Sequence, residues 1–181
     1  MTENVASFLP PYVKTKANWI SEDNYHLTVR DEAFIICVFS VAEIIFAPFN
    51  SRIKYALGQK NIITLGFILL AATSLGFGYI ANFDNPRVFR NLAIILRFIQ
   101  GIGTIAIEIT CFSISTSIYP KRVTDMVRYI EMCSGAGLAL GPIICSVVYN
   151  SLQYEGTMYL FGVIDLIALV VCFTFIPGVF N

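Results

Sequence analysis

Residues Leu92–Ile118 read LAIILRFIQGIGTIAIEITCFSISTSI, an apolar run interrupted by the charges of Arg97 and Glu108. Its polar and small members, Arg97, Gly101, Thr104, Glu108, Cys111 and Ser115, recur at spacings of four and three, so they share one face of an α-helix. The other faces carry Ile95, Phe98, Ile99, Ile102, Ile105, Ile109 and Phe112. The run is long enough to cross the roughly 30 Å hydrocarbon core of a bilayer. Such a helix turns one side to lipid and the other to a bundle interior or a wet cavity. Arg97 and Glu108 lie eleven residues apart, about 16 Å along the axis at 1.5 Å per residue. They cannot pair, so each needs a partner on another helix or a ligand. Two roles fit them: structural ion pairs that lock helices together, or charges retained to handle substrate and ions.

The composition around this stretch agrees. The chain has 181 residues, of which 56% are hydrophobic and 13% charged, and its mean hydropathy is +0.71. Soluble domains carry about twice that share of charge. So few charges cannot cover a water-facing surface without leaving large apolar patches. A soluble enzyme, a disulfide-rich secreted domain and a disordered tail are therefore excluded. Twelve basic residues balance twelve acidic ones, so no net field invites nucleic acid. Cys37, Cys111, Cys133, Cys145 and Cys172 all fall in apolar runs without a CxxC pair, and His26 is the only histidine. They read as buried small hydrophobes, with no metal site and no cofactor. No nucleophile–base pair or phosphate-cradling glycine loop points to an enzyme.

Five spans are expected, at residues 33–51, 62–81, 92–118, 127–149 and 158–177. Barrel strands are excluded because the alternating pattern they require is absent. Residues 1–32 form a polar segment whose apolar piece, Val5–Val13, is broken by Pro10–Pro11 and too short to span. Arg52, Lys54 and Lys60 follow the first span, and Lys121, Arg122 and Arg128 flank the third link against Asp125 alone. The positive-inside rule makes these links and the C-terminus cytoplasmic, and places the 1–32 segment on the opposite side. For a chain that starts in the cytoplasm, this pattern reads as one lacking its first helix.

Other polar groups sit within these runs. Ser40, Glu43, Ala47 and Asn50 share a face of the first span, with Pro48 near its end. Glu43 reads as a proton site, a partner for Arg97, or an interfacial carboxylate outside the dry core. Asp165 ranks behind the other acids, with Tyr154 and Tyr159 nearby as interface anchors. In the fourth span Cys133, Gly137, Gly141 and Cys145 make a small-xxx-small row, Glu131 lies just before it, and Pro142 adds a kink. A kinked seam of this kind also serves as a hinge.

Arg97-Phe-Ile-Gln100-Gly101-Ile-Gly103 resembles the RxxQGxG motif on the fourth helix of major facilitator superfamily transporters, in the vesicular amine/proton antiporter branch. Gly137-Leu-Ala-Leu-Gly141-Pro142-Ile-Ile-Cys145 is similar to the antiporter motif GxxxGPxxG on the fifth, with Cys145 in place of its last glycine. Pro48 through Gly58-Gln59-Lys60 is similar to the loop between the second and third helices. There the family's Gly, Asp and Arg are replaced by Ser51, Tyr55 and Ala56, while Gly58 and Lys60 are kept. Ser7-Phe-Leu-Pro-Pro11 looks like the end of a first helix.

The resemblance implies an all-α membrane protein whose five helices correspond to the second through sixth of an N-terminal six-helix bundle. It implies proton-coupled antiport of a small organic cation, such as an amine or polyamine, in a vesicle or other organelle membrane. On this reading Glu108, Arg97, Glu43, Thr104 and Glu131 line the substrate and proton pathway. Gly101, Gly137, Gly141 and Pro142 form the packing hinge. The expected partners are the organic cation, protons, the lipid bilayer, and either a C-terminal half or a second copy of the chain. The alternative is a truncated, non-transporting membrane protein or a structural helical subunit.

Overall fold

The computed structural model describes residues 29–80, 82 and 85–175. The remnant of a first helix expected around Ser7–Pro11 lies outside the described residues. Those residues form helices with no strand among them: α1 (Val29–Leu57), α2 (Gln59–Ile80), α3 (Pro86–Ile118) and α4 (Val123–Phe175), with a 3-10 turn at Pro120–Arg122. Each of the four is long and apolar enough to cross a membrane. The expected fold class, an all-α multi-pass membrane protein, is the one the chain adopts.

The ends of these helices follow from local chemistry. Asp31 and Glu32 occupy the first turn of α1 and Lys54 its last, each complementing the helix dipole. Gly58 separates α1 from α2 by adopting φ 80°, a left-handed conformation that suits a residue without a Cβ. Its N–H donates to the Lys54 carbonyl, and Ile62 N–H donates in turn to the Gly58 carbonyl. At the start of α3, Pro86 follows Asn85, whose side chain accepts from Arg87 N–H at 3.1 Å.

The fourth and fifth expected spans form one helical run, α4, broken at Gln153. That residue has φ 59° and ψ −173°, a conformation that glycine alone adopts readily. The break divides α4 into two arms, 123–152 and 154–175, each long enough for a span of about 20 residues. The polar link expected between the spans is therefore compressed to a single non-helical residue. Thr157 braces the break by donating its hydroxyl to the Gln153 carbonyl at 2.6 Å.

The helices pack as a row. α3 lies against both α1 and α2, α2 lies against α4, and α1 barely meets α2. Glycines set the closest approaches. A Cβ at Gly101 would come within 2.6 Å of the Phe39 carbonyl oxygen, so α3 presses directly on the α1 backbone there. Gly66 and Gly103 face each other across α2 and α3 in the same way. The second arm of α4 runs antiparallel to α2. Tyr159 meets Gly78, Gly162 meets Leu75, Asp165 meets Ser74, and Phe173 meets Lys60.

At one end of the row Ile35, Phe77, Ile80, Phe89, Ala93, Cys145, Tyr154 and Met158 form a buried cluster. Tyr154, expected as an interface anchor, is a core residue in this cluster because the break at Gln153 turns it inward. Arg90 pairs with Asp31 at 3.2 Å beside the cluster. At the opposite end Ser113 Oγ accepts from Lys54 Nζ at 2.7 Å and from Gln59 Nε2 at 3.3 Å.

Of the cysteines expected as buried, Cys145 alone is buried within the chain, whereas Cys37 and Cys133 lie on outer faces. The reason is physical: in a membrane chain the apolar exterior is lipid, so an apolar sequence context does not imply burial in protein.

Candidate functional site

α3 carries the polar stripe, and packing divides it along its length. Arg97 is 1% exposed. Its Nη1 donates to Gln100 Oε1 at 3.0 Å, one turn along the same helix. The guanidinium also sits 5.5 Å from the Phe39 ring centroid on α1 and 5.8 Å from that of Phe77 on α2. Cation–π contacts of this kind gain strength when water is excluded. Arg97 therefore holds three helices around one buried charge. Thr104, one turn further, is half-buried and returns its hydroxyl to the Gln100 carbonyl at 3.0 Å.

Glu108 lies eleven residues beyond Arg97 on the stripe and is exposed. Among the described residues it has no hydrogen-bond or ion-pair partner. It sits ten residues from the end of α3 at Ile118, about 15 Å along the axis. Ser113, five residues beyond Glu108, meets Lys54 and Gln59 at the α1–α2 turn, so Glu108 lies about one and a half helical turns from that level. A carboxylate on an open face of so apolar a helix fits a water-filled path far better than lipid.

The remaining candidates do not converge on one point. Glu43 is half-buried on α1, one residue beyond Ala42, which packs under Gly101. Glu131 is exposed on the first arm of α4. Gly137 has no atom within 4 Å of where a Cβ would stand, Gly141 is half-buried, and Pro142 is exposed. The row expected as a packing seam is thus open at Cys133 and Gly137 among the described residues and packs within the chain at Cys145. Gly58 occupies the left-handed turn, and Lys60 Nζ lies 4.4 Å from the Phe173 ring centroid. The loop glycine and lysine therefore tie α1, α2 and the end of α4 together.

Asp165, ranked last among the acids, is 4% exposed and accepts from Ser74 Oγ at 3.2 Å. It sits in the α2–α4 seam, one turn beyond the close approach at Gly162. A lone serine in an apolar span offers no sequence signal for that pairing. Gln100 was legible only as part of the motif around Arg97, at the i+3 spacing that places both on one face.

Comparison with known proteins follows the same line. The Major Facilitator Superfamily sequence profile matches residues 1–179. The chain is 23% identical over 170 residues to the multi-drug resistance efflux pump PmrA homolog of Lactococcus lactis subsp. lactis, covering 92% of this chain and 39% of that protein. It is also 23% identical over 138 residues to the MFS-type transporter SLC18B1 of Rattus norvegicus, covering 76% of this chain and 30% of that one. The human SLC18B1 transporter is 22% identical over 129 residues, covering 71% of this chain and 28% of its own length. The chain thus spans well under half the length of these relatives. No solved structure gives a significant match. A profile match over almost every residue, on an all-α row of membrane-length helices, places this chain in the Major Facilitator Superfamily.

Proposed function

We propose that this chain supplies one wall of the transport path in a proton-coupled antiporter that exchanges small organic cations. The observation that carries the reading is Glu108, a carboxylate within the apolar run of α3, on an exposed face with no hydrogen-bond or ion-pair partner among the described residues. An acid so placed attracts a cation or a proton, and the two compete for it, which is the elementary requirement of antiport. Thr104, one turn away on the same stripe, offers a hydroxyl beside it. The relatives named as an efflux pump and an SLC18B1 transporter fit a small-molecule cargo.

Arg97 acts in this scheme as a positioning residue. Clamped between Phe39 and Phe77, it fixes α1 and α2 onto α3 and so sets the orientation of the Glu108 face. Glu43 and Glu131 lie on neighbouring helices as secondary stations for the proton. Gly101 permits the tight α1–α3 contact, and Gly137, Gly141 and Pro142 offer the seam and kink against which further helices rock. An organelle membrane such as a vesicle's is the proposed location, by likeness to the amine antiporter branch.

The test is Glu108→Gln in the full-length protein, reconstituted in proteoliposomes with an imposed pH gradient. Loss of gradient-driven amine uptake, with retained folding, supports the assignment. Unchanged uptake removes Glu108 from the path.

A second reading is favoured by the open first arm of α4, where a Cβ at Gly135 or Gly137 would meet nothing within 4 Å among the described residues. On that reading the chain is a helical subunit that packs against other membrane helices without transporting. Uptake by liposomes holding only the 181 residues would decide against it.

A further inference from the structure

A dry cleft of about 70 Å³ opens between α1, α2 and α3 toward the α1–α2 turn. Its walls include Phe46 and Ile53 from α1, Ile62 and Leu65 from α2, and Ile102 and Ile105 from α3. The polar group among them, Asn50, is already committed, donating its side-chain amide to the Ile105 carbonyl at 3.2 Å. The cleft therefore offers apolar contact and no free polar partner. No residue of the polar stripe lines it.

The same end of the row is rimmed by cations. Arg52 is exposed and immediately precedes Ile53 of the cleft wall. Lys54 reaches Ser113, which brings the end of α1 against the last turns of α3. The 3-10 turn that follows α3 presents exposed Lys121 and Arg122. Residues 52–60 hold no acid, and residues 119–128 hold Asp125 alone. Apolar cleft below and positive rim above make an amphipathic pair of surfaces at one membrane boundary.

The geometry points to a binding site for an anionic phospholipid of the bilayer. A segment of one acyl chain enters the cleft, and the phosphate rests against Arg52, with Lys121 and Arg122 widening the positive rim. Charge complementarity selects the headgroup, because a cation near a membrane surface favours anionic over neutral lipid. The enclosed walls favour a hydrocarbon chain over a soluble phosphate. This site is separate from the Glu108 face and does not depend on transport.

The experiment uses the full chain in nanodiscs of phosphatidylcholine containing a minor fraction of phosphatidylglycerol. Native mass spectrometry reads the lipids retained after release. Wild type should retain phosphatidylglycerol selectively and should not bind glycerol phosphate, which has the headgroup charge without the chain. Each of Arg52→Gln, Lys121→Gln and Arg122→Gln should lower that selectivity by up to roughly fivefold, the effect expected of one cation near the surface. Arg30→Gln, at the exposed start of α1 on the opposite end, should leave it unchanged. Ala106→Phe, which fills the cleft, should reduce retention of the lipid. If that variant loses helicity, Leu65→Phe at the exposed rim makes the same test. Equal retention of both lipids by wild type would overturn the proposal. So would an equal loss with Arg30→Gln, or retention unaltered in a folded cleft variant. Detection of dimers that Ala106→Phe converts to monomers would assign the cleft to a second copy and overturn it as well.

Discussion

The hydroxyl of Ser74 donates to Oδ2 of Asp165 at 3.2 Å across the seam between α2 and the second arm of α4. It is the hydrogen bond that the buried carboxyl group makes among the described residues, and Asp165 is only 4% exposed. Removing one partner of a buried polar pair leaves the other unsatisfied, which costs more than the bond itself contributes.

Ser74→Ala should therefore destabilise the chain by about 1–3 kcal/mol, more if the carboxyl is charged. Replacing both partners, as Ser74→Ala with Asp165→Leu, should recover much of that loss. Thermal unfolding in detergent, followed by circular dichroism, checks both. A Ser74→Ala variant as stable as wild type would show that the bond carries no weight.

Two glycines on polar stripes should respond in opposite ways. At Gly101 an added Cβ would stand 2.6 Å from the Phe39 carbonyl oxygen and 2.9 Å from the Ala42 Cβ. Gly101→Ala should force α1 and α3 apart and cost about 1–3 kcal/mol. At Gly137 nothing lies within 4 Å, so Gly137→Ala in the isolated chain should gain about 0.5–1 kcal/mol of helix stability. Side-by-side melting curves of the two variants check the contrast.

Gly58→Ala should also destabilise, by roughly 1 kcal/mol or more, because φ 80° places a Cβ in conflict with the following carbonyl. The turn it forms sets the approach of Lys54 and Gln59 to Ser113. Cleavage by an added protease at the α1–α2 turn should accelerate in this variant.

Gln153→Gly should act in the other direction. With φ 59° and ψ −173°, Gln153 occupies a region that costs a residue with a side chain about 1–3 kcal/mol. Glycine relieves part of that strain, offset by its larger entropy loss on folding. A rise in melting temperature is expected. A fall would mean that the break at residue 153 is not strained.

The membrane class and the helices themselves were legible in the sequence. Long apolar runs with few charges leave a bilayer as the only solvent that suits them, and a bilayer demands helices. The stripe on α3 was legible too, because its members repeat at the helical period. What its members touch was not. Arg97 and Glu108 look equivalent in sequence, each a lone charge in an apolar run. Their environments diverge because Phe39 and Phe77 close over Arg97, whereas the side chain of Glu108 stands on an exposed face.

Asp165 shows the same limit from the other side. Its partner is ninety-one residues away on α2, and hydrophobic periodicity reports nothing about contacts between helices. The break at Gln153 was equally hidden, since no glycine or proline marks it.

Composition and local period fix the solvent, the helical content and the end-to-end asymmetry of charge. Packing alone fixes the row order of the helices, the burial of Arg97 and Asp165, and the cleft between α1, α2 and α3. These depend on which faces meet. In lipid the hydrophobic effect does not choose among apolar faces, so close glycine contacts and a few polar bonds decide.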